Sequence, residues 1–357
     1  MMFTVVGTPG DRRTEMFAAA CRSAGLDGPR VVSWLEVLRG GELPIVPDSP
    51  LRIDSPGDDA EVDALLRGPG DPARVAGGAW WYASFTAALE RVAAAAARAG
   101  AWQLGDVPEI AVMCDKRRCH ARLQAAGVPV PEALPRVRDY ADLRERMADA
   151  GMRQVFVKPA HGSSASGVVA LRTAPSGRIK AVTSAARAGT GYVNSLRVQT
   201  YETESEVAPL IDALAPDGLH VERWLPKAAL DGRVLDLRVV VIAGEPTHVV
   251  ARTSRSPMTN LHLGGVRGSV RAVRDALGPS GWERALEVCA RTAACFPGSL
   301  MVGVDLLIQV GWRRIAVGEV NAFGDLLPGA TGLPGTRADG LDTYAAQVSA
   351  ALATCAA

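Results

Sequence analysis

The chain has 357 residues, 48% of them hydrophobic, and this length and composition predict two or three domains with sizeable cores. Its formal net charge of +1 at pH 7 argues against a protein that binds nucleic acid through a basic face. No apolar run is long enough for a transmembrane helix, the N-terminus lacks a signal peptide, and the six cysteines show no disulfide spacing, so a cytoplasmic protein without membrane attachment is expected.

The first hundred residues predict an α/β domain. A buried strand at residues 3–6 is followed by a helix over 12–24 and a second strand at 30–33, an order that favours a parallel sheet with helices packed on it. Residues 40–72 are rich in Pro, Gly and Asp, and they are predicted to be irregular around one short strand at 51–54.

A long helix over residues 80–99 is predicted to complete this domain. Its adjacent tryptophans, Trp80 and Trp81, are expected in the core together with Trp102, because large aromatic side chains stabilise cores by burial. The composition changes near Glu109, where the first domain boundary is predicted.

The next segment combines a short predicted strand at 110–114 with a helix over 115–126. Asp115 is expected to cap the N-terminus of this helix. Lys116 then lies in the first helical turn, where the helix dipole disfavours a cation. This placement indicates that an anion is bound nearby.

A loop of small residues, 162–167, joins two predicted strands. Gly162 and Gly167 permit positive φ angles, and the serines between them add hydroxyl donors. Lys158 supplies a positive charge at the mouth of the loop. The sequence contains no Walker A motif, so the segment is either another kind of phosphate-binding loop or a plain hairpin with an exposed lysine.

The chain after this loop alternates between short strands and helices. A strand at 196–202 is followed by a helix over 204–213, and a strand at 219–225 ends before Pro226. The final predicted element is a helix that begins near residue 341.

Two β-rich runs, 236–243 and 247–254, predict a hairpin. If its turn centres on Glu245, Arg238 lies directly opposite Arg252, and like charges in that position are destabilising. Either the register is shifted, or an anion lies between the two guanidinium groups, or both arginines extend into solvent.

Two apolar strands are predicted at 301–308 and 314–321. Asp305 interrupts the first strand, whereas Glu319 and Asn321 end the second strand on one face. Buried carboxylates are costly unless they are paired or bind a metal. Three oxygen ligands fit Mg²⁺, and salt bridges to the two hairpin arginines are the alternative.

These ordered elements together resemble the ATP-grasp superfamily, in particular its carboxylate–amine ligases such as glutathione synthetase and D-alanine–D-alanine ligase. The resemblance implies an α/β (α+β) fold with an N-terminal parallel α/β domain at 1–109. It also implies a small central lid subdomain at 110–222 and a C-terminal α+β subdomain at 223–357.

The resemblance also implies a role for each matching position. The positions implied for ATP are Lys116, Lys158, His161, Gly162, Ser163, Ser164, Gly167, Glu222, Arg223, Trp224 and Leu225. The positions implied for one or two Mg²⁺ ions, or Mn²⁺ in their place, are Asp305, Glu319 and Asn321. The positions implied in catalysis are Arg238, Arg252 and Asn260.

The activity implied by the resemblance is the ATP- and Mg²⁺-dependent formation of an amide or peptide bond. A substrate carboxylate becomes an acyl phosphate, and an amine then displaces the phosphate. The substrates are a small molecule or the tail of a peptide, and a homodimer is a common assembly for such folds. A small-molecule kinase and a non-catalytic ATP-binding protein are the alternatives.

Overall fold

Three β-sheets organise the chain in a computed structural model that describes residues 1–57, 59–162, 165–324 and 327–355. The first sheet is parallel, and the other two are antiparallel. Among the helices of these four ranges, none is both long enough and apolar enough to cross a membrane.

The N-terminal sheet has the strand order β2-β1-β3-β4 and confirms the predicted parallel arrangement. Its strands alternate with helices that cover the apolar strand residues. The elements are β1 (Thr4–Gly7), α1 (Arg12–Ser23), β2 (Arg30–Ser33), α2 (Trp34–Arg39), β3 (Pro50–Ile53), α3 (Ala60–Arg67), α4 (Gly78–Arg98) and β4 (Trp102–Gln103).

Two expectations for this region are wrong. Residues 40–72 are not irregular throughout, because they contain α3. Asp59 caps the N-terminus of this helix, and its residue Leu66 is buried. Trp80 is not a core residue, since 66% of it is exposed. It lies about 100° around α4 from Trp81, and Trp81 is the tryptophan that stacks on buried Phe85 with a centroid distance of 4.8 Å.

Helix α5 (Val107–Met113) replaces the strand that was predicted at 110–114. Asp106 caps its N-terminus by accepting the N–H of Glu109, and a proline occupies the first turn, where the lost N–H costs nothing. The five consecutive apolar residues at 110–114 are compatible with a strand or a helix, and the N-cap at Asp106 favours the helix. The predicted N-cap at Asp115 is confirmed in α6 (Lys116–Ala125).

Glu109 lies within α5 and joins the first part of the chain to the third. Its carboxylate accepts hydrogen bonds from the N–H of Gly298 (3.1 Å) and the hydroxyl of Ser299 (2.8 Å). The domain boundaries at 109 and 222 stay predictions.

The central sheet has the strand order β8-β7-β6-β5-β9. One face packs on two helices through residues such as Val155 and Leu210, and the other face carries Lys158 and Glu222. The elements are α7 (Tyr140–Asp149), β5 (Gln154–Pro159), β6 (Val169–Thr173), β7 (Ile179–Ala188), β8 (Gly191–Tyr201), α8 (Glu204–Leu214) and β9 (Leu219–Arg223).

The C-terminal sheet has the order β13-β12-β11-β14-β15, with β10 beside β11. Its final helix, α10, returns to the N-terminal unit, where Tyr344 packs near Phe17 with a centroid distance of 6.4 Å. The elements are β10 (Ala229–Leu230), β11 (Arg233–Ile242), β12 (Glu245–Ser254), β13 (Val266–Gly268), α9 (Val270–Ala294), β14 (Met301–Ile308), β15 (Ile315–Asn321) and α10 (Thr343–Cys355).

The β11–β12 hairpin has a shifted register, which was one of the alternatives left open. Its turn consists of two residues, Ala243 and Gly244, both with positive φ, as a type I′ turn requires. Arg252 therefore lies opposite Asp236 rather than opposite Arg238.

Asp217 attaches α4 to the central sheet. Gly77 ends the preceding turn and provides no side-chain cap for α4. The carboxylate of Asp217 accepts the N–H groups of Gly77 (2.6 Å) and Ala79 (3.2 Å) instead. The cap therefore comes from a residue about 140 positions away.

We expect Asp217→Ala to lower the free energy of unfolding by about 1 kcal/mol, because two N–H groups at the start of α4 lose their acceptor. Urea denaturation followed by circular dichroism measures the change. Asp27→Ala, which removes an exposed aspartate, is the matched control. Equal midpoints for the two variants would contradict the capping role.

Candidate functional site

Two lysines connect the central sheet and α6 to strand β15 of the C-terminal sheet. The ammonium of Lys158 lies 2.6 Å from a carboxylate oxygen of Glu222 and donates to the carbonyl of Gly318 (3.1 Å). The ammonium of Lys116 lies 3.1 Å from a carboxylate oxygen of Glu319 and donates to the carbonyl of Gly162 (2.5 Å). Both lysines were predicted from the sequence, and the structure brings them into one cleft.

Glu222 is buried between two donors. One carboxylate oxygen faces Lys158, and the other lies 3.0 Å from Nε2 of His220. Burial raises the pKa of Glu222, but the attraction of Lys158 and the hydrogen bond from His220 outweigh it and hold the pKa at about 2. Burial lowers the pKa of His220, so its neutral ring must donate from Nε2, because an ionised carboxylate only accepts.

Asp305 lies between the two predicted catalytic arginines. Arg238 contacts both of its carboxylate oxygens, and Nη2 of Arg252 lies 3.1 Å from one of them. Burial raises the pKa of Asp305, but the two guanidinium groups outweigh it and lower the pKa below its usual value. The salt bridges that were left as an alternative to metal binding are therefore present at this carboxylate.

Asp236 positions Arg252 and anchors two residues that the sequence analysis did not identify. Its carboxylate accepts from Nε of Arg252 (2.8 Å) and from the ammonium of Lys227 (3.1 Å), and it contacts the hydroxyl of Thr259. Lys227 also donates to that hydroxyl (2.8 Å). Asp236 was the sequence feature that could have indicated them, because a carboxylate buried in an apolar strand needs cations beside it.

The predicted metal ligands lie on adjacent strands. Asp305 and Glu319 face each other across β14 and β15, and Asn321 lies two residues beyond Glu319. No cluster of three or more His, Cys, Asp or Glu residues suited to a metal occurs in the described part of the chain. The set instead combines two carboxylates with one amide.

The side chain of Asn321 supports a fit to a cation. Its Nδ2 atom is buried without a hydrogen-bond partner in the described structure, and the oxygen and nitrogen of an amide are exchanged by a 180° flip. The flipped amide would present Oδ1 beside the two carboxylates. Mg²⁺ needs few protein oxygens, because waters and phosphates fill its other positions.

The small-residue loop is described only in part, since Ser163 and Ser164 lie outside the described residues. Gly167 has φ +67°, and a Cβ atom there would lie 3.0 Å from Pro159, so this end of the loop requires glycine. His161 is 8% exposed, and its ring stacks on that of Tyr82.

The segment that follows β9 lines a large cleft. Trp224 packs on Phe156 with a centroid distance of 5.3 Å, and it borders a cleft of about 700 Å³. Arg223 is held near the surface by Glu132 (2.7 Å), and Leu225 is half-buried.

Asn260 lies in a loop that packs beside the small-residue loop. Its side chain accepts the N–H of His262 (2.8 Å) and starts a short 3₁₀ turn. Met258 and Leu263 of the same loop are buried against Val168. This loop thus lies beside the small-residue loop, while the side-chain amide of Asn260 holds the local 3₁₀ turn.

No protein-family profile and no curated protein matches the chain. Solved structures do match it along almost its whole length. D-cycloserine synthetase DcsG is 17% identical over 99% of both chains, with a TM-score of 0.58. ATP-grasp ligase PsnB, complexed with minimal precursor, Mg and ADP, is 18% identical over 99% of this chain and 98% of its own, with a TM-score of 0.54.

A third solved structure is D-alanine–D-alanine ligase from Bacillus anthracis complexed with ATP. It is 12% identical over 99% of this chain and 92% of its own, with a TM-score of 0.50. At such identities the similarity establishes the fold.

Glu222 should make the stability of the protein depend on pH. Its pKa in the folded protein is about 2, below the ordinary value of 4.5. As the pH falls, Glu222 is therefore protonated at a higher pH in the unfolded chain than in the folded protein. Its ionised form therefore contributes stability that is complete above about pH 5 and is lost toward pH 2.

Between pH 5 and pH 3, we expect the unfolding free energy of the wild type to fall by on the order of 2 kcal/mol more than that of Glu222→Gln. Urea denaturation at several pH values measures this change. Glu145→Gln, at an exposed site, should keep the wild-type slope. The same slope in all three proteins would show that Glu222 is not held ionised by its neighbours.

Proposed function

Because the chain has the ATP-grasp fold, we propose that it is an ATP- and Mg²⁺-dependent carboxylate–amine ligase that forms an amide or peptide bond through an acyl phosphate. One observation carries the proposal: two lysines and two arginines are paired with three carboxylates in a charged cluster formed by α6, the central sheet and the C-terminal sheet. The similar solved structures, which include a synthetase and two ligases, support it.

Lys116 and Lys158 bind the phosphates of ATP in this proposal. Each lysine is now neutralised by a carboxylate, Glu319 and Glu222 respectively. An incoming phosphate would take the place of Glu319 beside Lys116 and release that carboxylate for a metal ion. The cleft beside Trp224 has room for the adenosine, and the 162–167 loop would cover the phosphates.

Asp305, Glu319 and Asn321 would hold one or two Mg²⁺ ions, and Mn²⁺ shares the same preference for oxygen. When bound, the metal neutralises charge on the phosphates. The two carboxylates are already opposite each other across β14 and β15, so this site needs side-chain rearrangement and no change of backbone register.

Arg238 and Arg252 stabilise the phosphoryl group during transfer. Nε of Arg252 stays on Asp236, and an incoming anion would take the place of Asp305 beside Nη2 of the same guanidinium group. A substrate carboxylate oxygen attacks the γ-phosphorus while the bond to the β-phosphate oxygen breaks and ADP leaves. The transfer needs positioning and charge neutralisation rather than a protein nucleophile.

The second step forms the new bond. The amine attacks the acyl carbon, inorganic phosphate leaves with the former carboxylate oxygen, and the amine loses a proton. Asn260 lies in the loop that flanks this part of the cleft. The carboxylate belongs to a small molecule or to a peptide tail, and the protein acts as a homodimer.

Nucleotide binding is the first test. We expect calorimetry with a non-hydrolysable ATP analogue to show Mg²⁺-dependent binding, and we expect Lys158→Ala and Glu319→Gln each to weaken it by about tenfold or more, because each loses a charge-assisted contact. Arg271→Ala, which removes a cation whose side chain is 92% exposed, should bind as the wild type does. A wild type that binds no nucleotide with or without Mg²⁺ would remove the proposal.

Trapping the intermediate is the second test. With carboxylate substrates, ATP and hydroxylamine, we expect ADP and a hydroxamate, because hydroxylamine captures an acyl phosphate. Arg252→Met should lower the rate by about a hundredfold or more, since it removes charge stabilisation from the transferring group. ADP production with a phosphorylated alcohol and no hydroxamate would favour the small-molecule kinase instead.

A further inference from the structure

The base of the small-residue loop, residues 160–162, is held on one side by the start of α6. The N–H of Lys116 donates to the carbonyl of Ala160 (2.9 Å), and its ammonium donates to the carbonyl of Gly162 (2.5 Å). These contacts join the loop to the lysine that is already assigned to ATP.

The other side of the loop base is held by α4, which comes from the N-terminal part of the chain. The ring of Tyr82 stacks on the ring of His161 with a centroid distance of 4.0 Å and an interplanar angle of 15°. His161 is otherwise surrounded by Asp115, whose carboxylate lies 3.9 Å from Nε2, and by the carbonyl of Cys114 at 3.5 Å. The stack is therefore the contact that joins this ring to α4.

Tyr82 is itself fixed by two hydrogen bonds. Its hydroxyl donates to the carbonyl of Ala111 (2.9 Å) and accepts from Nη1 of Arg118 (2.9 Å). Because these partners lie on α5 and α6, the ring cannot turn away from His161 without breaking both bonds. The position of the Tyr82 ring against the loop base therefore depends on the packing of α4, α5 and α6.

The beginning of α4 contacts the same loop base. A Cβ atom at Gly78 would lie 2.9 Å from the carbonyl oxygen of His161, so only glycine permits this approach. Asp217, which caps α4, precedes Gly218, and the carbonyl of Gly218 accepts the N–H of Ala160 (2.9 Å). Two independent routes therefore fasten α4 to residues 160–162.

We propose that Tyr82 is a positioning residue for the nucleotide phosphates: through its stack on His161 it sets the base of the 162–167 loop. This inference rests on the proposed function, in which that loop covers the phosphates of ATP. A loop base that is fixed before binding reduces the ordering cost when the nucleotide arrives. Loss of the stack should then weaken the binding of nucleotides that carry phosphates. The affinity for adenosine, which carries no phosphate, should not change.

The test compares calorimetric affinities for Mg²⁺–ADP and for adenosine in four proteins. Tyr82→Leu removes the ring, and we expect ADP affinity to fall about threefold to tenfold, the range of an aromatic pair, with adenosine affinity unchanged. Tyr82→Phe keeps the ring but loses both hydrogen bonds of the hydroxyl, so its ADP affinity should lie between those of the wild type and Tyr82→Leu. Trp80→Leu changes an exposed aromatic residue on the same helix and is the matched control.

A double-mutant cycle with His161→Ala tests whether Tyr82 acts through that ring. The effects of Tyr82→Leu and His161→Ala should not add, because both remove the same contact. Additive effects would overturn the inference. If Tyr82→Leu does not fold, as thermal unfolding would reveal, His161→Ala should show the same selective loss of ADP affinity, and equal ADP affinity in that variant overturns the inference.

The remaining outcomes separate this inference from the proposed function. Wild-type affinity for ADP in Tyr82→Leu overturns the inference alone, as does an equal loss for ADP and adenosine. A wild-type protein that binds no ADP overturns the proposed function and the inference with it.

Discussion

The cleft depends on the neutralisation of buried charge. Lys158, whose side chain is 12% exposed, is paired with buried Glu222, and buried Asp305 is paired with two arginines. Taking such groups out of water costs more free energy than their attraction reliably returns, so apolar residues in their places would stabilise the fold equally well. A function in binding a highly charged ligand explains the charges better than stability does. In the proposed function, each ion pair also keeps its cation ordered for the phosphate that it would bind.

Strand register determines which charges meet. The two-residue turn at Ala243 and Gly244 brings Asp236 opposite Arg252, and β14 then brings Asp305 opposite Arg238. A slip of one residue would turn every one of these side chains to the other face of the sheet. The register thus forms a network in which each arginine has a carboxylate and each carboxylate has more than one cation.

The sequence by itself determined the fold and supplied the candidate site residues. The resemblance of the ordered motifs to the ATP-grasp superfamily implied its fold, and the solved structures of similar shape confirm that fold. Local physics explains the features that were predicted from the residues themselves: a cap such as Asp115 needs only its own helix, and alternation along a strand is enough to place Glu319 and Asn321 on one face. The roles of the individual site residues stay predictions, although Lys116, Lys158, Glu222 and the two arginines do meet at the cleft.

Tertiary structure alone decided which side chains are paired and which are exposed. Arg238 and Asp305 are 67 residues apart, and their contact depends on β11 lying beside β14. The stack of Tyr82 on His161 depends on how α4 packs against the central sheet, and the exposure of Trp80 depends on which face of α4 is covered. No local pattern encodes these contacts, because their free energy comes from burial and charge pairing between segments that are distant in the sequence. The sequence supplied the charges and their spacing along each strand, and the packing of the three sheets chose their partners.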